Sequence, residues 1–397
     1  MKLADRAAGI SPSPTLAIDA KAKQMKAAGI DVINFGVGEP EFDTPEHIKA
    51  AAVEALQKGM TKYTPASGTL ALKEAVVKKL KEDNGLDYET ANIVINCGAK
   101  HSLYNTFQVL CQTGDEVILP APYWVSYVEQ IKMTGATPVI IKAEAQNGFK
   151  ITPEQLKAAI TPKTKVFLLN SPSNPTGAVY NKAELQALGE ILVKHKIAII
   201  SDEIYEKLVY DGNQHISIAS LSPELKDLTI VINGVSKAYA MTGWRIGYLA
   251  APAPVAKAIS SLQSHSTSNP ASVSQAASIA ALTGDQTPLA EMHQAFTERR
   301  QYILDRIAAI PGLECAAPGG AFYVFPRMTA YIGKSYQGTV INGADDLAAL
   351  LLEKANVALV PGIAFGDNTC FRMSYATSKE NIKAGLDRLE AFLAEVK

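Results

Sequence analysis

Six short apolar runs, each bounded by turn residues, constrain this chain more than any other feature. They are 93-IVIN-96, 116-EVILP-120, 138-PVIIK-142, 166-VFLLN-170, 197-IAIIS-201 and 229-TIVIN-233. Near-continuous runs rich in Val, Ile and Leu read as strands buried on both faces, unlike the apolar–polar alternation of a half-exposed sheet. Several are separated by stretches of helical period, such as 181-NKAELQALGEILVKHK-196. That alternation predicts an α/β fold, with a mostly parallel sheet covered by helices on both faces. In such sheets ligands lie beyond the carboxyl ends of the strands, so chemistry is to be sought just after each run.

Upstream, 44-TPEHIKAAAVEALQKG-59 reads as a helix with Thr44 as N-cap, Pro45 at the first helical position, Gly59 as the stop, and Ile48, Ala52, Ala55 and Leu56 on one face. Leu72, Val76 and Leu80 mark a second helix that closes at Asn84-Gly85. After about residue 290 the pattern changes to a long charged helix (291–310), the segment 321-AFYVF-325, a strand at 357-VALVP-361 and a closing helix. At 397 residues the chain has room for two units. The expected division is 46–290 for the large unit and 291–397 for a smaller α+β unit, which residues 1–45 join because their Pro- and Ser-rich start does not fit the sheet.

Charge and cysteine usage narrow the function. With 38 basic against 39 acidic residues the formal net charge is −1, and no overall field draws the chain to nucleic acid or to an anionic membrane. Cys97, Cys111, Cys315 and Cys370 show no CxxC spacing, so reduced thiols are expected and neither a metal site nor a disulfide framework. Asp5 and Arg6 stand where a signal peptide needs an apolar core, which makes a cytoplasmic location the expectation. A dinucleotide fingerprint is absent, since 36-GVGEPE-41 supplies only two of the glycines, and nothing fits a P-loop.

Four strand ends carry polar groups or glycine: 98-GAKHS-102, 170-NSPSNPTG-177, 202-DEIY-205 and 233-NGVSKAYAMTGWRIG-247. Singly these are ordinary turn residues, an N-cap and an exposed lysine. Together, in this order, they converge on the one crevice where such a sheet holds a ligand.

Gly234-Val235-Ser236-Lys237, followed by Gly243 and by Arg245 eight residues after the lysine, resembles the cofactor-attachment motif of fold-type I pyridoxal 5′-phosphate (PLP) enzymes. With 34-NFGVGEPEFDTPEHI-48, 122-PYWVSY-127 and 372-RMSYATS-378, the chain is similar over nearly its whole length to the class I aminotransferases of the aspartate aminotransferase family, bacterial subgroup. The resemblance implies a seven-stranded, mostly parallel sheet and an active site shared across a homodimer.

It also assigns roles that make chemical sense. Lys237 would condense with the aldehyde of the cofactor and, once freed, act as general base. Asp202 would keep the ring nitrogen protonated, while Tyr205 and Asn174 would bond the ring's phenolic oxygen and Trp124 would stack on its face. Gly98, Ala99 and Lys100, opening a helix after a strand, would cup the phosphate with Ser236 and Arg245, and Tyr63 would reach in from the other subunit. Arg372 would grip the substrate α-carboxylate, assisted by Asn174 and Gly38.

For the second carboxylate of aspartate the animal-type arginine has no counterpart, since no arginine lies between Arg245 and Arg299. Lys100 would serve instead, with Ser13, Thr15 and the partner's 266-STS-268 hydroxyls. The implied reaction is amino transfer between L-aspartate and 2-oxoglutarate, with a broad-specificity aromatic or prephenate aminotransferase as the alternative. Ser11, where some prephenate-active members have lysine, speaks against the latter. His47 and His195 are expected to face solvent and Tyr123 and Tyr127 to pack around Trp124, while His101 and His265 are left open.

Overall fold

The computed structural model describes residues 2–397, so Met1 lies outside the described residues. After a short strand β1 (Ile33–Asn34), seven strands form one sheet: β2 (Ile93–Asn96), β3 (Glu116–Ala121), β4 (Thr137–Lys142), β5 (Thr164–Asn170), β6 (Ala198–Asp202), β7 (Thr229–Gly234) and β8 (Gly247–Ala250). Their spatial order is β2-β8-β7-β6-β5-β3-β4. All neighbours are parallel except the pairs made by β8, which runs antiparallel to both β2 and β7. The six apolar runs supply six of the strands. The seventh, Gly-Tyr-Leu-Ala, has no apolar run of its own to announce it and lies at the tail of a polar loop.

Strand alternation decides which side chains enter which half of the core. In β5, Val166 and Leu168 join the helices on one face, where Leu103, Phe107 and Ile259 pack, while Phe167 and Leu169 join Leu156, Leu185 and Leu192 on the other. Fully burying each such side chain contributes roughly 1.5–3 kcal/mol. The paired layers leave the strands rigid and their carboxyl ends fixed in relation to one another.

The remaining strands are β9 (Tyr323–Val324), the hairpin β10 (Ser335–Tyr336) and β11 (Thr339–Val340), β12 (Val357–Ala358), β13 (Val360–Pro361) and β14 (Phe371–Ser374). The segment 357-VALVP-361, expected as one strand, is split at Leu359. Its first half pairs with β1, placing Ile33 opposite Val357, and its second half pairs with β14 in a three-stranded antiparallel sheet completed by β9. Helices Thr287–Ala309 and Lys379–Ala394 contribute Phe296, Ile303, Leu386 and Leu389 to the core over these strands. Among the described residues no helix is long and apolar enough to cross a membrane.

Helix ends follow local chemistry with two corrections. Gly85 ends the helix Leu70–Asn84 at φ 65°, and Gly59 follows the helix Glu46–Gln57 at φ 73°, conformations that suit glycine. Thr44, however, is not the cap of that helix. Pro45 occupies the cap, and the Thr44 hydroxyl donates to the Ala240 carbonyl (2.7 Å) and accepts from the Trp244 indole (2.9 Å), tying this segment to the loop that carries Lys237. Leu56 is 54% exposed, unlike buried Ile48, Ala52 and Ala55, because eight residues of helix carry it about 80° round from Ile48.

Candidate functional site

The ends of β2, β5, β6 and β7 open into one cavity of about 470 Å³, closed from the other side by β9, β14 and the segment 36–39. The helix Ala99–Leu110 starts directly off β2, with Gly98 as N-cap at φ 89°. Neither Gly98 nor Gly247 leaves room for a side chain: a Cβ on the first would stand 2.3 Å from Arg245 Nη2, and on the second 2.1 Å from the Ala99 amide. The guanidinium of Arg245 is held beside the helix start by bonds to the carbonyls of Thr242 (2.8 Å) and Cys97 (3.2 Å). Free helix N–H groups, a cation and the adjacent hydroxyl of Ser236 make a cradle for a dianion such as a phosphate ester.

Asp202 closes β6 and is buried. Its Oδ2 accepts from the Tyr127 hydroxyl at 2.7 Å and its Oδ1 from the Ile204 amide at 3.3 Å. Burial outweighs both bonds and pushes the carboxyl from the usual range near 4 up to about 6. Holding it ionised at neutral pH therefore costs ~3 kcal/mol, a cost that a cationic group placed against it would offset.

Lys237 lies three residues beyond β7, and its Nζ donates to the Gly38 carbonyl at 2.5 Å. Burial, aided by the charges of Arg372 and Arg245 and opposed by Glu39, brings the amine from 10.5 down to about 8, where a lysine can exchange protons near neutral pH. Tyr205 stands beside it, with its ring centroid 5.9 Å from Lys237 Nζ and its hydroxyl 2.9 Å from that of Tyr323.

Arg372 projects from β14 and is 2% exposed. Nη1 donates to Asn174 Oδ1 (2.9 Å) and Nη2 to the Gly36 carbonyl (2.8 Å), while Nε is buried without a partner. None of these partners is a carboxylate, so the cation's charge is unmet. Asn174 is itself held by Asn170, whose Oδ1 accepts its amide and whose Nδ2 bonds the Asp202 carbonyl. At the mouth, the ammonium of Lys100 lies 4.8 Å from the Trp124 ring centroid, and the hydroxyls of Ser13 and Thr15 bond each other at 2.9 Å.

Of the residues singled out from the sequence, the cavity wall gathers Ser13, Thr15, Gly38, Ala99, Lys100 and Trp124 with Asn174, Asp202, Tyr205, Ser236, Lys237, Arg245 and Arg372, and Gly98 supports it from behind. Tyr63 is not in it: within the single chain it is 90% exposed. Tyr127 is a correction, because it bonds Asp202 rather than merely packing on Trp124. Its one-turn spacing from Trp124 was the available sign that both face the same way. No local pattern assigns Tyr323 to the site, and Asn170, which opens a polar strand end, gains its bond to the Asp202 carbonyl only from the pairing of β5 with β6. His47 also differs from expectation, with Nε2 buried against Gly284 rather than in solvent, whereas His195 and His265 are exposed. His101 accepts from the Cys97 amide at 3.3 Å.

Behind the cavity lies a second polar cluster. Lys79 is ion-paired with Glu206, which also accepts from Asn84 at 2.8 Å, and His215 meets Glu203 at 3.0 Å. Glu203, Glu206 and His215 bring ligand atoms within 4.8 Å of one another, but Lys79, Ser201 and Ser217 already pair with the carboxylates.

Residues 30–389 match the family model described as aminotransferase class I and II. The chain is 54% identical over 99% of both lengths to an aspartate aminotransferase of Geobacillus stearothermophilus, and 48% identical to an aspartate/prephenate aminotransferase of Cereibacter sphaeroides, covering 99% of this chain and 98% of that one. Its fold superposes on the crystal structure of an aspartate aminotransferase from Rhizobium meliloti with a TM-score of 0.97, 46% identity and complete coverage of both chains.

Proposed function

The chain belongs to the class I and II aminotransferases, enzymes that use pyridoxal 5′-phosphate, and from that premise we propose that it moves the amino group between L-aspartate and 2-oxoglutarate, forming oxaloacetate and L-glutamate. One observation carries the substrate choice. Apart from Lys237 itself and Arg245 in the phosphate cradle, the cavity is lined by two further cations whose contacts include no carboxylate, buried Arg372 and the Lys100 ammonium over Trp124. A dicarboxylate supplies a counter-charge for each. An unmet charge is costly where it is buried, as at Arg372, and the exposed Lys100 ammonium at the mouth adds a second attraction, so a substrate that meets both gains most from entering.

The residues present fit the cofactor. The Gly98–Gly247 cradle, where no Cβ has room, suits a phosphate, and the buried Asp202 carboxylate suits a protonated ring nitrogen. When bound, the cofactor supplies an electron sink for the substrate's α-carbon. Lys237 Nζ, held near the proton-exchange range, takes and returns the α-proton. Arg372 and Asn174 orient the α-carboxylate with Gly38 alongside, and Tyr205 would donate to the phenolic oxygen of the bound cofactor. Trp124 would cover the ring, and Ser236 and Arg245 with Gly98, Ala99 and Lys100 would hold the phosphate.

The same reading takes the working enzyme as a cytoplasmic homodimer, with residues 1–45 joining 291–397 in a small unit beside 46–290. It is supported by Tyr63 and the neighbouring apolar side chains of Val53, Leu56, Met60 and Leu70, all exposed in the single chain, and by the β1–β12 pairing; four unpaired cysteines accord with a reducing compartment. A broader range that includes aromatic acids or prephenate is the second reading. It is favoured by the flexible ammonium of Lys100, which lies on an aromatic face and can yield it to a substrate ring.

The test is to mix the holoenzyme with L-aspartate alone and follow its visible absorbance and oxaloacetate release. One oxaloacetate per site supports the proposal, and none overturns it. Lys100→Ser assayed with aspartate and phenylalanine then separates its roles. Loss confined to aspartate places it on the second carboxylate, and equal loss with cofactor release places it in the phosphate cup.

A further inference from the structure

Tyr323 touches three groups of the site yet has no part in the scheme above. It sits on β9 opposite Ser374 of β14, so its ring lies under Arg372, whose guanidinium carbon is 4.4 Å from the ring centroid. Its hydroxyl is 2.9 Å from that of Tyr205. The same oxygen stands 3.3 Å from where a Cβ of Gly38 would be, beside the carbonyl that holds Lys237. Tyr323 is fully buried, so this hydroxyl has no competing water.

The two hydroxyls are not equivalent. Burial raises both hydroxyls above the usual tyrosine range, Tyr205 further, and Arg372 opposes this at both; but Arg372 lies directly against the Tyr323 ring whereas Asp202 adds to the rise at Tyr205, which makes Tyr323 the better donor. Donation from Tyr323 occupies a lone pair of Tyr205 and leaves the Tyr205 proton free to point into the cavity. Hydrogen bonds in such a chain polarise one another. We propose that Tyr323 is a positioning residue that couples the carboxylate grip of Arg372 to the Tyr205 hydroxyl. This rests on the reading in which Tyr205 faces the phenolic oxygen of the cofactor and Arg372 the substrate α-carboxylate. Asp202 and Lys237 also bear electrostatically on this pair, Asp202 from the end of β6 and Lys237 from the loop after β7, and both remain in place when the Tyr323 hydroxyl is removed.

The consequence is that the Tyr205 bond to the phenolic oxygen is stronger while Arg372 is unmet and weaker once a carboxylate neutralises it. Tyr323→Phe keeps the ring under Arg372 and deletes only the hydroxyl. The midpoint of the pH-dependent visible absorbance of the holoenzyme should rise by about 0.3–0.5, a twofold to threefold change in the ionisation constant. The displacement of that midpoint by maleate, a dicarboxylate with no amino group to transfer, should shrink.

Tyr205→Phe and the double variant complete the test. If Tyr323 acts through Tyr205, adding Tyr323→Phe to Tyr205→Phe changes nothing further. A midpoint unmoved by Tyr323→Phe, or an equal shift in both backgrounds, overturns the coupling. A midpoint unmoved by Tyr205→Phe alone instead overturns the underlying placement of the cofactor.

Discussion

Tyr127→Phe removes one hydroxyl from a fully buried site and leaves the ring that meets Trp124 edge-on at 5.3 Å. The hydroxyl donates at 2.7 Å to Asp202, a charge-assisted bond of roughly 1.5–3 kcal/mol that favours the ionised carboxyl. Its loss leaves the burial that already raises Asp202, and the lower end of that range moves the carboxyl by about one pH unit, from about 6 to roughly 7. An ionised Asp202 is the form that holds a protonated ring nitrogen, so retention of the cofactor weakens as pH falls through the Asp202 value. The assay is equilibrium dialysis of the amine form of the cofactor, which has no covalent link to Lys237, from pH 5 to pH 9. The variant should bind about tenfold more weakly near pH 5 and converge on the parent near pH 9, since a one-unit displacement is tenfold only where both carboxyls are protonated. A loss of equal size at every pH would show that the hydroxyl matters for packing alone, and no loss at any pH would refute the reasoning altogether.

Lys79→Met should cost ~3–5 kcal/mol in urea unfolding at pH 7, because it strands the buried Glu206 carboxylate. Burial alone would raise Glu206, but Lys79 and its neighbours hold it down to about 2. The parent therefore loses this contribution as the pH falls from ~4.5 toward 2, so the variant's deficit should shrink over that range, and a deficit independent of pH would contradict the pairing. Lys237→Ala should abolish transamination with cofactor still bound through its phosphate and ring contacts; turnover at the parent rate would remove Lys237 from the chemistry. Arg372→Ala should lower kcat/KM for every amino-acid substrate by at least about tenfold, the loss of one charge-assisted pair, whereas a loss confined to dicarboxylates would mean the two ends of the cavity are exchanged.

The α/β layering and the Lys237 motif were legible because they are written in local pattern. Apolar runs of Ile, Val and Leu can be satisfied only by burial on both faces, and Gly85 ends a helix wherever that helix packs. Residues at the strand ends shared one cavity for the same reason, since parallel strands bring their carboxyl ends to one side. Tertiary structure decided what required two distant segments at once. The strand β8 is visible only when β2 and β7 flank it, and 357–361 splits because its halves find different partners. Tyr127 reads as an aromatic beside Trp124 until the end of β6, 75 residues on, brings a carboxylate to its hydroxyl. Tyr323 reads as one more apolar strand residue until β14 lays Arg372 over its ring. A hydroxyl on an aromatic ring costs little to bury if a partner is waiting, and whether one is waiting depends on residues a hundred positions away, which local sequence cannot specify.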